Sequence, residues 1–216
     1  MAKIEPFETH TDRYDAWFED HKWVYESELE AIRYFINQQD KSLEVGVGTG
    51  RFAIPLGVHT GIDPSPRMAG IAVERGINAI VGTGEDMPFN DNVFDCVLIV
   101  TTICFFDNAL QALKESHRVL KDTGSIVIGF VDRESPIGRK YSNKKDKSVF
   151  YREAHFYSVS EVTDLLEKAL FGDFQIVQTV FGKLDEISSR QAFQEGYGKG
   201  SFVVIRGFRK IAPIRL

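Results

Sequence analysis

The chain has 216 residues, 43% of them apolar and 26% charged, with a formal net charge of −5. A chain of this length can bury roughly 70% of its unfolded surface, so it needs neither disulfides nor a metal to fold. Its acidic balance and lack of a long basic run argue against nucleic acid as the main partner, and no apolar run approaches the roughly 20 residues of a membrane helix.

In chain order, the first forty residues read as helical. Trp17, Phe18, His21, Val24 and Tyr25, then Leu29, Ile32, Phe35 and Ile36, recur at spacings of three and four. The aromatic load of Tyr14, Trp17, Phe18, Trp23 and Tyr25 fits either packing on a core or a lid over a ligand. From Lys41 onward, strand and helix patterns alternate. Strands are expected over 42–46, 58–63, 78–82, 94–100 and 125–131. Helices are expected over 51–56, 65–75 and 108–120. Ser65 is placed to cap the second of these helices, with Pro66 at its first position. The stretch 132–151 is polar, holds Pro136 and Gly138, and reads as a long loop. Its Arg139, Lys140, Lys144, Lys145 and Lys147 suit a solvated surface or an anionic ligand. A helix over 160–170, with Ser160 at its cap, and two strands over 174–181 and 201–209 complete the chain. Alternating strand and helix implies a parallel sheet covered on both faces, with its ligand crevice at the carboxyl ends of the strands.

Cys96 and Cys104 stand apart with no CxxC and no paired histidines. That argues against a metal site and for free thiols in a reducing compartment. The first ten residues lack the apolar stretch of a leader. A cytoplasmic protein without a membrane partner is the expectation.

The central signal is Leu43-Glu44-Val45-Gly46-Val47-Gly48-Thr49-Gly50. Alternate glycines after a strand let the backbone turn sharply and approach a ligand. The dinucleotide fingerprint places its third small residue where Arg51 stands. Glu44, expected at the crevice, would repel a pyrophosphate and suit a cation, since one charge sign at about 4 Å is worth about 4 kcal/mol before desolvation. Asp63, ending the next strand in Gly61-Ile62-Asp63-Pro64-Ser65, can accept both hydroxyls of a ribose or cap the following helix.

With these residues the chain resembles the class I S-adenosylmethionine-dependent methyltransferases, closest to their small-molecule subgroup. Further matches are Pro66-Arg67-Met68, Gly84-Glu85-Asp86-Met87-Pro88-Phe89, Phe94-Asp95-Cys96-Val97 and Arg118-Val119-Leu120-Lys121 followed by Gly124. The resemblance implies a doubly wound, Rossmann-like α/β fold with a mostly parallel seven-stranded sheet. It divides the chain into an N-terminal helical lid over 1–40 and a core over 41–216. It implies S-adenosylmethionine as cofactor. Glu44, Gly46, Gly48 and Gly50 would hold its methionine part. Asp63, followed by Pro64, would hold its ribose. Thr83, Gly84, Glu85 and Asp86 would edge its adenine, with Met68 or Ser65 flanking. The family usually has Asp where Thr83 stands, so a hydroxyl, Glu85 or backbone takes the adenine amino group here.

The crevice mouth supplies Thr101, Thr102, Cys104, Phe105 and Phe106 after the fourth strand, Asp132 after the fifth, and His155 with Tyr157 before the last helix. Of these, Asp132 and His155, together with Tyr14, are the candidates for a catalytic base. Phe105, Phe106, Tyr14 and Trp17 could surround an aromatic or cationic acceptor. His117 reads as structural. The function expected is methyl transfer to a small molecule at N, O or C. The alternatives are a binding module that keeps the cofactor without catalysis and, less favoured, a nucleotide-dependent oxidoreductase.

Overall fold

In a computed structural model, residues 4–210 are described. The amino-terminal pattern resolves into three helices, α1 (Glu5–Thr9), α2 (Thr11–Asp20) and α3 (Lys22–Arg33), broken at His10 and His21. The core follows with β1 (Ser42–Val45), α4 (Ala53–Leu56), β2 (Thr60–Asp63), α5 (Pro66–Glu74), β3 (Asn78–Val81), β4 (Phe94–Val100), α6 (Ala109–Val119) and β5 (Leu120–Val131). It ends with α7 (Pro136–Lys144), α8 (Val159–Lys168), β6 (Phe171–Thr179), the two-residue β7 (Gln194–Glu195) and β8 (Phe202–Arg209).

The sheet runs in the order β3-β2-β1-β4-β5-β8-β6-β7. Strands β3, β2, β1, β4 and β5 are mutually parallel, and β8 inserts antiparallel between β5 and β6. The eight strands are the expected seven plus β7, too short to leave a periodic signal. Alternate residues of β4 face opposite layers. Leu98 and Val100 pack with Ile32, Leu56 and Phe202 on one side. Val97 and Ile99 pack with Leu113 and Leu166 on the other. A strand covered on both faces must be apolar throughout, which is why 94–100 reads as it does. Strand order reverses direction between β1 and β4, and this is where an open α/β sheet presents its ligand crevice.

Two expectations fail for local reasons. The loop expected over 132–151 contains α7, because Ser135 caps it by accepting from the Gly138 amide at 3.0 Å and Pro136 occupies the first turn, where a missing N–H costs nothing. Ser160 lies inside α8. The cap is Ser158, in a reciprocal box with Glu161, whose carboxylate accepts from the Ser158 amide at 2.8 Å. The cap expected at Ser65 is present, accepting from Met68 N at 3.1 Å.

Candidate functional site

The carboxyl ends of β1 to β4 open into a cavity of about 310 Å³. Gly46 and Gly48 wall one side, in left-handed conformations with φ of 75° and 53°. Asp63, Pro64, Ser65 and Met68 come from the end of β2 and the start of α5. Thr83, Gly84 and Glu85 follow β3, and Thr101, Thr102 and Phe105 follow β4. Asp63 ties two of these turns together. Its Oδ2 accepts from the Gly48 amide at 2.8 Å and its Oδ1 from the Ser65 amide at 2.9 Å. Burial pushes its carboxyl up to about 6 against the pull of those two amides. Asp63 thus fixes the glycine loop to the head of α5 and lines the cavity.

Charge decides which ligand fits. Among the described residues the wall holds the carboxyls of Asp63, Glu85 and Asp107 and no lysine, arginine or histidine. A pyrophosphate would meet only repulsion, and the Gly48 amide that could cradle it is already taken by Asp63. A ligand with a cationic, adenosine-bearing tail has the complementary sign.

Three residues expected at the ligand, Glu44, Gly50 and Asp86, are not part of this wall. Glu44 is 1% exposed and packs behind the glycine turn, outside the cavity wall. Its Oε2 has no hydrogen-bond partner, and burial, with Asp63 nearby, raises its carboxyl well above the usual range. Gly50, with φ of 83°, turns the chain against Ile54 and Ile77. Both shape the loop from behind. Asp86 is exposed, outside the wall that its neighbours form.

The amino-terminal helices close the cavity through Ile4, Phe7 and Tyr14. Polar contacts at two places hold α1 and α2 beside the cavity. Glu8 accepts from the Ser65 hydroxyl and from the Arg67 amide at 3.1 Å, at the head of α5. Asp15 is a hub under the glycine loop, accepting from Thr49 Oγ1 at 2.6 Å and Arg51 Nε at 3.0 Å and pairing with Arg75. Arg51, the residue that breaks the dinucleotide pattern, is thus a strut between loop and helices. Burial opposes ionisation of Asp15, but the bonds from Arg75, Thr49 and Arg51 prevail and hold its carboxyl below the usual range. Asp15→Ala is expected to cost about 1.5–3 kcal/mol, the scale of hydrogen bonds to a charged group. Hydrogen exchange should speed up over 5–20 and stay unchanged in β4 and β5. Uniform acceleration would mean that Asp15 braces the whole fold and not the helices alone.

A second cavity, of about 460 Å³, adjoins the first and shares Phe7, Tyr14, Thr101 and Phe105 with it. Its wall is aromatic, with Trp17, Phe52, Tyr141 and Phe202 among its rings, and its rim carries Lys140, Lys144 and Lys147 from the segment first read as loop. Of the three candidate bases, Tyr14 alone reaches these walls. Burial, then Glu44 and Asp63, push its phenol far up, so it stays neutral and acts as a hydrogen-bonding group. Asp132 is buried, accepting from the Glu134 amide at 3.1 Å, and belongs to neither wall. His155 is exposed, its ring against Tyr157 at 4.5 Å, and likewise lies outside both. Cys104 turns away to pack with Ala154 and Phe156. His117 bonds the Lys210 carbonyl at 3.0 Å, the structural role expected of it.

The residue that sequence reasoning passed over is Glu28. It is 4% exposed and lines the second cavity. A signal for it exists: Val24, Glu28, Ala31 and Phe35 share one helical stripe, all of it buried, so a carboxylate stands where an apolar residue is due.

Fold and site together define an α/β protein with a cavity at the carboxyl ends of its central strands whose charge suits a cationic ligand. The comparisons agree. Residues 43–128 match a family profile described as a methyltransferase domain. A Thermotoga maritima crystal structure, described as a SAM-dependent methyltransferase and possible histamine N-methyltransferase, is 47% identical, covers 95% of this chain and 98% of its own, and superposes with a TM-score of 0.92. An uncharacterised protein of Methanocaldococcus jannaschii is 43% identical over 92% of this chain and 96% of its own. A demethylmenaquinone methyltransferase of Chlorobaculum tepidum is 38% identical, over only 42% of this chain and 40% of its own. The chain belongs to the class I S-adenosylmethionine-dependent methyltransferases, and S-adenosylmethionine is its cofactor. Among the described residues no helix is long and apolar enough to cross a membrane, and no acidic, histidine or cysteine cluster could hold a metal.

Proposed function

We propose that the protein transfers the methyl group of S-adenosylmethionine to a small molecule held in the second cavity. The observation that carries this reading is the common wall. Phe7, Tyr14, Thr101 and Phe105 belong to both cavities, so a donor in one and an acceptor in the other meet at that partition.

The cofactor supplies an activated methyl on its sulfonium. The chain's own task is to align the acceptor at about 3–3.5 Å and to keep water out. Phe7 and Phe105, their rings edge to face at 5.1 Å, supply the dry wall. Neutral Tyr14 offers its hydroxyl to whichever ligand presents a partner. Thr101 sits at the partition with φ of 51°. A β-branched residue there costs on the order of 1–3 kcal/mol, and such strain collects at functional sites. The amino-terminal helices serve as the lid over both ligands.

The test is incubation with methyl-labelled S-adenosylmethionine and a metabolite extract, with mass identification of the labelled product. Transfer into a small molecule, lost in Tyr14→Ala while cofactor affinity persists, is the expected result. Cofactor binding with no transfer to any component would favour the binding-module alternative.

A further inference from the structure

Glu28 has no hydrogen-bonding or ionic partner for its carboxyl group among the described residues, although it is 4% exposed. Burial alone pushes it up to about 8. An unpaired carboxyl in such a place is costly, and native interiors seldom keep one without a use. The groups nearest in its field are the phenols of Tyr25, Tyr141 and Tyr151, all of which its charge would push upward. Arg13, Lys140, Lys144 and Lys147 stand at the cavity's rim, exposed to water, and none pairs with it. Thus a lone buried carboxyl faces a ring-lined space that has room for a ligand, and the cations of that space, Arg13, Lys140, Lys144 and Lys147, are side chains exposed to water.

We infer that Glu28 is the specificity residue of the second cavity and that it binds a basic nitrogen on the methyl acceptor, which is therefore an amine with an apolar or aromatic body. This rests on the reading that the second cavity holds the acceptor. Two features of the wall select for an amine over a neutral donor. An ammonium favours the ionised carboxylate and pairs with it on burial, whereas an alcohol leaves the carboxyl protonated and gains only a neutral hydrogen bond. Ring faces such as Trp17, Phe52 and Tyr141 also attract a cation. Glu28 lines only the second cavity, so its grip on the acceptor is separate from the hold on the cofactor.

The test uses calorimetric titration of the full chain, without cofactor, with 2-phenylethylamine and tryptamine, and with 2-phenylethanol as the uncharged counterpart. The amines should bind more tightly than the alcohol. Glu28→Gln, which keeps the shape and removes the charge, should weaken amine binding by about 10- to 100-fold, the range for a charged hydrogen bond. It should leave the alcohol unchanged. Glu28→Asp should retain part of the amine preference. Titration of the same proteins with S-adenosylhomocysteine reports separately on the cofactor site. Loss of that binding in the unaltered protein would overturn the methyl-transfer reading, while Glu28-dependent amine binding would still stand. Amine binding that is indifferent to Glu28→Gln, or amine and alcohol binding that fall together, overturns the inference. So does a lack of any preference for amine over alcohol in the unaltered chain.

Discussion

Gly46→Ala should abolish measurable cofactor binding and lower the melting temperature by on the order of 5–15 °C. Gly46 holds φ of 75° at the first bend after β1, where an alanine pays about 1–2 kcal/mol for the left-handed conformation. An added Cβ would lie 2.2 Å from Thr102 Cγ2 and 2.4 Å from its Oγ1. Thr102 is in no position to yield, because its hydroxyl donates to the Val100 carbonyl at 2.9 Å. Overpacking of this kind adds about 1–3 kcal/mol, and relief by backbone movement would displace the glycine loop from the cavity. The double variant Gly46→Ala/Thr102→Gly removes the obstructing atoms and should recover the packing part of the loss while keeping the backbone part. Melting and cofactor titration of the two variants check this. Wild-type affinity in Gly46→Ala would show that the loop tolerates a side chain there and that its glycine is incidental.

Stability should fall as pH rises from about 5 to 8, and Glu28→Gln should flatten that slope. The sign follows from linkage. A carboxyl whose folded value lies above its unfolded one favours the fold while protonated. Its contribution is complete below the ordinary value of 4.5 and is lost as pH rises through about 8. Glu28 alone is worth on the order of 4 kcal/mol across that window. Asp63, pushed to about 6, and Glu44, raised well above its usual range, act in the same direction. Glu28→Gln should match the unaltered chain near pH 4.5 and melt on the order of 8–15 °C higher at pH 8. Calorimetry from pH 5 to 9 measures the gap. A gap constant with pH would mean that Glu28 ionises at its ordinary value and is solvated through the cavity.

The parts of the fold that local chemistry dictates were legible in the chain. The glycine turn, the apolar β4 and the Ser65-Pro66 start of α5 each carry their reason within a few residues. Helix α7 was not, because Pro136 and Gly138 read as breakers unless Ser135 is seen to cap them. In the site, Gly46, Gly48, Asp63, Thr83, Gly84, Glu85 and Thr101 reach the first cavity because strand ends place them there, and Met68 because α5 starts beside them. Glu44 follows the opposite rule: the next-to-last residue of β1 points into the layer behind the turn, and only the register of β1 against β2 and β4 settles which side that is. Glu28 stayed hidden because Glu26 and Glu30 flank it on an amphipathic helix. Its burial depends on α7 and on the segment near β8, far along the chain.

Phe7 and Tyr14 stand in both cavities, and the helix that carries Tyr14 is riveted to the glycine loop through Asp15. Two ligands that share a wall of this kind would not have independent affinities. With the acceptor in the second cavity as proposed, both ligands would contact Phe7 and Tyr14, so each would bind against a wall that the other also touches. Thermodynamic reciprocity then requires equal factors: if the donor tightens the acceptor, the acceptor tightens the donor by the same amount. The rule extends to what remains after methyl transfer. On the proposed function, spent cofactor left in its cavity would prolong the stay of the methylated product next door, and departure of either one would loosen the other.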